Sequence, residues 1–273
     1  MTQPSSSPTP APTSGSRTAR IGLVVAVAIA VLVAAFGLYY LFLRPAGPAA
    51  VADATLPPVS TSAPTSATAT NADASGGTAT ADPSAGSTTG IDGTWTVDTS
   101  IGSFSDFTNS FVGYRVQEEL AGIGANTAVG RTPDVSGSMT IAGTAVSAAT
   151  IEADLTTLQS DDGNRDRQLG RQGIQTDQFP TASFTITEPI ELGSIPADGQ
   201  EIEVTAKGQM TLHGQTRDVE VPMKARLSGD VIAVSGSIPI AFADYGMQKP
   251  ESFKVLSVDD HATMEFQVFF SRA

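Results

Sequence analysis

The side chains best suited to chemistry in this sequence are two histidines, His213 and His261, since the chain contains no cysteine. His213 lies in a His-Gly-Gln-Thr stretch between two alternating apolar segments, where it could contact a polar ligand group or hydrogen-bond the backbone of a turn. His261 follows Asp259 and Asp260, but a zinc site needs further ligands that two histidines cannot supply. We therefore expect no metal site and no resident cofactor.

An oxygen-rich run between Asp161 and Asp166 offers the ligand type that Ca²⁺ prefers. The run lacks the EF-hand spacing and the terminal glutamate of that loop. It also suits the start of a short helix, with Asn164 as the N-cap and Asp166 in the first turn, where a carboxylate interacts favourably with the helix dipole. We predict a capped helix at this position.

Signatures of catalysis and of nucleic-acid binding are missing from the sequence. It contains no Gly-x-Ser-x-Gly nucleophile elbow, no phosphate-binding loop and no dinucleotide fingerprint. Its net charge is −13, and an acidic protein repels phosphate backbones. We therefore expect a protein that is not an enzyme and has no nucleic-acid partner.

The N-terminal part of the chain predicts a membrane anchor. Residues 21–43 are apolar throughout apart from two glycines, and as a helix they would span roughly 34 Å, enough for the hydrocarbon core of a bilayer. Arg17 and Arg20 precede this segment, so the positive-inside rule places the tail 1–20 in the cytoplasm and the C-terminal domain outside the cell membrane. The competing interpretation is a cleaved signal peptide, although its apolar region is usually much shorter.

Residues 44–91 consist mainly of Ser, Thr, Pro, Ala and Gly, too few of them apolar to form a core. We predict a disordered linker with a reach on the order of 40 Å. The folded domain is predicted to occupy residues 92–273.

Strand patterns recur through this domain. The clearest is a hairpin over 201–227, whose alternating residues give one apolar face and one charged face. Other strand patterns cover 93–98, 111–118, 135–141, 145–155, 182–187, 231–242 and 261–270. Many short strands joined by turns indicate an all-β fold, and we predict an eight-stranded antiparallel β-barrel with one short crossover helix. Small inward residues favour a cavity in the barrel, but the residues alone also allow a filled core.

Four motifs occur in an order that resembles the YceI-like family. Gly208–Val219 resembles its G-x-L-T-x-H-G-x-T-x-x-V signature, with Met210 in place of the usual Leu and Gln215 in place of the usual Val. The others are Asn164–Leu169 followed by Phe179–Phe184, the opening Trp95–Asp98, and the late Ala243–Gly246. The predicted anchor and linker depart from the family pattern, because its members are often simply secreted.

The resemblance implies an extended, lipocalin-like barrel that holds a polyprenyl or quinone-like chain for transport or storage. The residues then expected to line the cavity are Phe111, Tyr114, Phe184, Ile186, Met210, Leu212, Val221, Met223, Val234, Ile238, Phe266 and Val268. The motif residues Arg165, Asp166, His213 and Asp244 are expected to be structural, with an Arg–carboxylate network that fixes the crossover helix to the barrel.

Two alternatives remain open at this point. A barrel with a filled core could serve as a surface interaction module. An enzyme acting on a lipid head group could use Asp244, His213 or Asp166 as acid or base, provided that these residues cluster at the cavity mouth.

Overall fold

A computed structural model of the protein describes residues 27–35, 48–51, 90–250 and 254–273. The chain divides into two compact units, Met1–Ala46 and Gly47–Ala273. In the first, residues 27–35 form helix α1. No helix within the described residues has the length and apolar character needed to cross a membrane. The rest of the predicted span 21–43, the tail 1–20 and most of the linker 44–91 lie outside the described residues.

The second unit is built almost entirely of β-strands. Those in the described residues are β1 (Gly93–Val97), β2 (Phe111–Leu120), β3 (Gly124–Thr132), β4 (Val135–Ala142), β5 (Ala145–Asp154), β6 (Gln159–Ser160), β7 (Thr181–Ile186), β8 (Ile190–Glu191), β9 (Glu201–Leu212), β10 (Gln215–Ser228), β11 (Val231–Ala241) and β12 (Val255–Arg272).

Eight of these strands close into an antiparallel barrel. Their order around it is β1-β4-β5-β7-β9-β10-β11-β12, and β12 pairs back with β1 through Phe270 and Val97. Every pairing around the ring is antiparallel. Closure leaves no free sheet edge on this part of the barrel. The predicted all-β, eight-stranded antiparallel barrel is therefore confirmed.

The long strand β12 also carries a second set of strands. Beyond its pairing with β1 it pairs with β2, which in turn pairs with β3, and β3 pairs with the short strand β6. Strand β3 was not expected from the sequence, because Gly124–Thr132 contains a single large apolar residue, Val129. Its position is set by continuous pairing with β2, from Leu120 opposite Gly124 to Val112 opposite Thr132.

The hairpin predicted over 201–227 is present as β9 and β10, paired from Leu212 opposite Gln215 to Arg226 opposite Glu201. His213 and Gly214 make the turn with φ angles of 51° and 69°, the left-handed conformation that the tightest hairpin turns require. The apolar face points into the barrel, where Met210 and Val221 are buried.

The crossover helix α2 spans Gly163–Gln168, and a five-residue π-helical turn, Leu169–Gly173, continues it. The predicted N-cap at Asn164 is wrong by two residues. Asp162 is the cap: its carboxylate accepts a hydrogen bond from the Asn164 backbone N–H at 2.8 Å. Asp166 lies in the first turn, as predicted. Two further single turns are Leu155–Thr157 and Phe242–Tyr245.

Candidate functional site

The barrel encloses an apolar cavity with a volume of about 160 Å³. Most of its wall is formed by inward-facing side chains from β4, β5, β7 and the four strands β9 to β12, and β2 and β8 contribute one residue each. Ser183 and Arg226 are the only polar residues among those that line it in the described part of the chain. A cavity so poor in polar groups does not suit water, which needs two to four polar partners, and suits an apolar ligand.

Eight of the residues expected to line a cavity are on this wall: Phe184, Ile186, Met210, Val221, Met223, Val234, Phe266 and Val268. They come from β7, β9, β10, β11 and β12, so neighbouring strands of the closed ring supply them. Four methionines, Met139, Met210, Met223 and Met264, also face the cavity. Methionine is unbranched and adapts to irregular shapes, so this wall can adjust to a ligand. That these residues bind lipid stays a prediction.

Three other expected residues are not among those that line this cavity. Leu212 and Ile238 are buried in a second apolar cluster, and Tyr114 packs against it. Leu169 and Ile174, from the π-helical turn and the residue after it, belong to the same cluster. The crossover segment therefore fills this part of the barrel interior, which sequence alternation alone could not show.

Phe111 lies on the outer face of the sheet. Its neighbour Val112 lines the cavity, and successive side chains of a strand point to opposite faces. The Phe111 ring instead packs edge-on against Phe107, with ring centres 6.3 Å apart, and lies under the Arg131 guanidinium at 4.2 Å. The prediction that Phe111 faces the cavity is therefore wrong by one residue, since Val112 faces it.

The Tyr114 hydroxyl is buried and has no hydrogen-bond partner among the described residues. Burial raises the pKa of the Tyr114 phenol above its ordinary value, because the charged phenolate would be poorly solvated there. The ring lies close against Gly130 on β3, where an added Cβ would come within 2.4 Å of it. Gly130 therefore makes room for the ring.

Arg165 links helix α2 to the barrel. Its Nη2 donates to Glu118 Oε1 on β2 at 2.7 Å, and its Nη1 donates to Asp161. Asp166 accepts hydrogen bonds from the backbone N–H of Ser160 on β6 at 3.1 Å and from the Ser160 hydroxyl. These charge-assisted contacts hold the crossover against two strands.

Asp244 makes a different contact in the structure. It lies in the turn Phe242–Tyr245, and its backbone carbonyl accepts a hydrogen bond from Arg217 Nε at 2.9 Å. The described contacts do not connect its carboxylate with Arg165.

His213 joins three parts of the chain. Its Nδ1–H donates to the Tyr245 carbonyl at 2.9 Å, its Nε2 is hydrogen-bonded to the Gln175 side-chain amide at 2.9 Å, and its ring lies 4.3 Å from that of Phe179. Both ring nitrogens are therefore occupied by protein groups. Neither His213 nor Asp166 nor Asp244 lines the cavity, and the described residues contain no cluster of acidic, histidine or cysteine side chains arranged for a metal ion.

One cluster of charged residues was not expected from the sequence. Glu265 on β12 is only 1% exposed, and Arg131 on β3 donates to its Oε1 through Nη2 at 2.6 Å and Nε at 3.0 Å. The Arg131 guanidinium lies over the rings of both Phe111, at 4.2 Å, and Phe107, at 4.6 Å, and desolvation lowers its pKa. Alternation assigns these charges to the outer face, where charged residues are usually solvated, so no sequence signal marked them as buried.

Comparison with known proteins places the fold in a family. The YceI-like domain profile matches residues 95–270. A polyisoprenoid-binding domain from Saccharophagus degradans, implicated in plant cell wall breakdown, has a similar structure at 17% identity with a TM-score of 0.51, over 67% of this chain and 99% of that one.

Two other structures are more distant. Burkholderia cenocepacia BcnA gives a TM-score of 0.47 at 18% identity, over 63% of this chain and 98% of its own. The Campylobacter jejuni YCEI protein gives 0.44 at 13% identity, over 53% and 84%. A search of curated proteins found no match. The profile match covers most of the chain and includes residues of all eight barrel strands, so this protein belongs to the YceI-like family.

Proposed function

We propose that this protein binds an isoprenoid-type lipid, a polyprenyl or quinone-like chain, in the barrel cavity and carries or stores it. The observation that carries the proposal is the almost wholly apolar wall, in which Ser183 and Arg226 are the only polar lining residues within the described part of the chain. The structurally similar domain from Saccharophagus degradans is a polyisoprenoid-binding domain, which agrees with this ligand class.

Burial of the chain would supply most of the affinity. Each methylene group removed from water contributes about 0.8 kcal/mol, so an isoprenoid of several units needs few polar contacts to bind tightly. The four cavity-facing methionines can change rotamers at low cost and so admit chains of different shape. Chain length and branching would then matter more to affinity than the head group.

We further propose that residues 21–43 anchor the protein in the cell membrane, with the N-terminus in the cytoplasm and the barrel outside. The apolar length of this segment and the arginines before it support the orientation. An anchored barrel would exchange its lipid close to a membrane. The test is protease treatment of intact cells and then of lysed cells: digestion of the barrel only after lysis would contradict the orientation, and a mature chain that begins near Asp53 would contradict the anchor.

Two neighbouring alanines on β5 provide a matched test of the cavity. Ala149 lines the cavity, whereas Ala148 is exposed on the outer face. We expect Ala149→Phe to fill part of the cavity and weaken binding of an added polyprenol at least ten-fold, which corresponds to about 1.4 kcal/mol. Ala148→Phe should leave binding unchanged.

The readout is titration with a polyprenol of defined length, followed by native mass spectrometry. Equal affinities for the two variants would contradict binding in this cavity. Absence of binding to the unmodified protein would favour the alternative, a filled barrel that acts as an interaction module.

A further inference from the structure

We infer that residues 48–51 form a clasp, a short segment ahead of the domain that binds a charged socket on the outer face of the barrel. The socket consists of Arg115 on β2, Arg131 on β3 and Glu265 on β12. It lies on the opposite face of the sheet from the cavity, so it is separate from the proposed lipid site.

The socket can form because Gly113 has no side chain. Arg131 and Glu265 are both paired with Gly113 of β2, one from each neighbouring strand. A Cβ at Gly113 would lie 2.7 Å from Arg131 Cγ and 2.4 Å from the Gly130 carbonyl oxygen. Because Gly113 has none, the arginine can cross over β2 and reach the carboxylate two strands away. The guanidinium then packs against the rings of Phe107 and Phe111.

The clasp is complementary to these charges. Arg115 Nη2 donates to the Pro48 carbonyl at 2.7 Å, and Arg131 Nη2 donates to the Ala49 carbonyl at 3.0 Å. In the opposite sense, the Val51 backbone N–H donates to Glu265 Oε2 at 3.3 Å. Cationic donors therefore meet carbonyl oxygens and the anionic acceptor meets an amide, the pairing expected for recognition of backbone groups.

The burial of these groups shows that the contact is more than a surface encounter. Val51 is 4% exposed, Arg131 3% and Glu265 1%. Glu265 is satisfied from both sides, by Arg131 at one oxygen and by Val51 at the other. Buried charges are costly unless they are fully hydrogen-bonded. The clasp supplies the hydrogen bond to the second oxygen of the Glu265 carboxylate.

The clasp affects the linker that the sequence predicts over residues 44–91. At the other end of residues 52–89, Arg272 Nη1 donates to the Asp92 carbonyl at 3.0 Å, so the domain holds the chain on both sides of this segment. Residues 48–51 are therefore bound to the domain and do not belong to a free linker. The clasp does not rest on the proposed membrane anchor.

Single cysteines give a direct test, because the chain has none of its own. We compare Val51→Cys with Ala69→Cys in the full-length, detergent-solubilised protein and measure the rate of labelling by a maleimide. The clasp predicts labelling at position 51 at least about ten-fold slower than at position 69, since a buried thiol reacts only when the segment opens. Equal rates would overturn the proposal.

A second variant tests the socket. Glu265→Gln in the Val51→Cys background removes the charge and should raise the labelling rate toward that of Ala69→Cys, while native fluorescence of Trp95, the only tryptophan, reports an intact barrel. Unchanged protection would overturn the role of Glu265.

If Glu265→Gln unfolds the barrel, hydrogen exchange of the unmodified protein decides: a protected Val51 amide, which donates to Glu265, supports the clasp and an unprotected one overturns it. Neither readout involves lipid or membrane, so failure of lipid binding would be a separate result.

Discussion

Replacement of Arg165 by alanine tests whether the crossover helix is fixed to the barrel by charge. Its partner Glu118 has a side chain only 5% exposed, and that of Arg165 is 17% exposed. Removing one member of a buried ion pair leaves an uncompensated charge and costs about 3–5 kcal/mol. Because Arg165 is partly solvated, we expect a loss below this range, about 2–3 kcal/mol in the free energy of unfolding.

For a domain of this size, a loss of that order lowers Tm by roughly 5–10 °C. The assay is thermal unfolding followed by circular dichroism. Arg167→Ala is the matched control, since this neighbour is exposed on the same helix and bonds only the Asn164 side chain among the contacts described. We expect its effect to stay within about 0.5 kcal/mol.

The double variant Arg165→Ala/Glu118→Gln separates the buried charge from other effects. Glu118→Gln removes the uncompensated carboxylate, so the double variant should recover part of the stability lost in Arg165→Ala. The reasoning is refuted if Arg165→Ala and Arg167→Ala unfold at the same temperature. Unchanged stability with lost lipid binding would instead assign Arg165 to gating of the cavity.

Three further predictions concern single residues. Asp162→Ala should cost about 1 kcal/mol in urea unfolding through loss of the N-cap, and Asn164→Ala, inside the helix, should cost clearly less. Tyr114→Phe should leave Tm at neutral pH unchanged or raise it, because a buried hydroxyl without a partner is removed. Burial raises the pKa of this phenol, so the unfolded chain loses the phenol proton at lower pH than the folded protein does, and the free energy of unfolding falls as the pH rises above about 10. Alkaline unfolding should therefore begin at higher pH in the variant. Hydrogen bonds from Ser100 and Ser271 lower the pKa of Asp98, so its contribution is present above about pH 4 and is lost as the pH falls through the lowered value; the acid limb of a Tm-against-pH curve should flatten in Asp98→Asn.

The sequence was most informative where side chains alternate strongly. The hairpin β9–β10 has apolar and charged faces that differ at nearly every position, and its inward face was predicted correctly. Strand β3 was missed because its small and polar residues carry no such signal, and only pairing with β2 defines it. The sequence did not show which side chain at the start of β2 faces inward, because Phe111 and Val112 are both apolar. In the structure Val112 faces the cavity and Phe111 does not.

Features that depend on residues far apart in the chain could not be predicted. The choice between Asp162 and Asn164 as cap depends on where the chain leaves β6, because both residue types are good caps. The filling of one part of the barrel by Leu169 and Ile174 depends on the path of the crossover. The buried Arg131–Glu265 pair spans three strands and is possible because Gly113 lies between them.

The most direct test of the central claim is the mass of the native protein. Full-length protein purified in mild detergent should show, by native mass spectrometry, a species heavier than the polypeptide, and solvent extraction should release an isoprenoid-type lipid. Ala149→Phe should reduce that species and Ala148→Phe should not. A protein that carries no lipid and takes up no added polyprenol would contradict the claim.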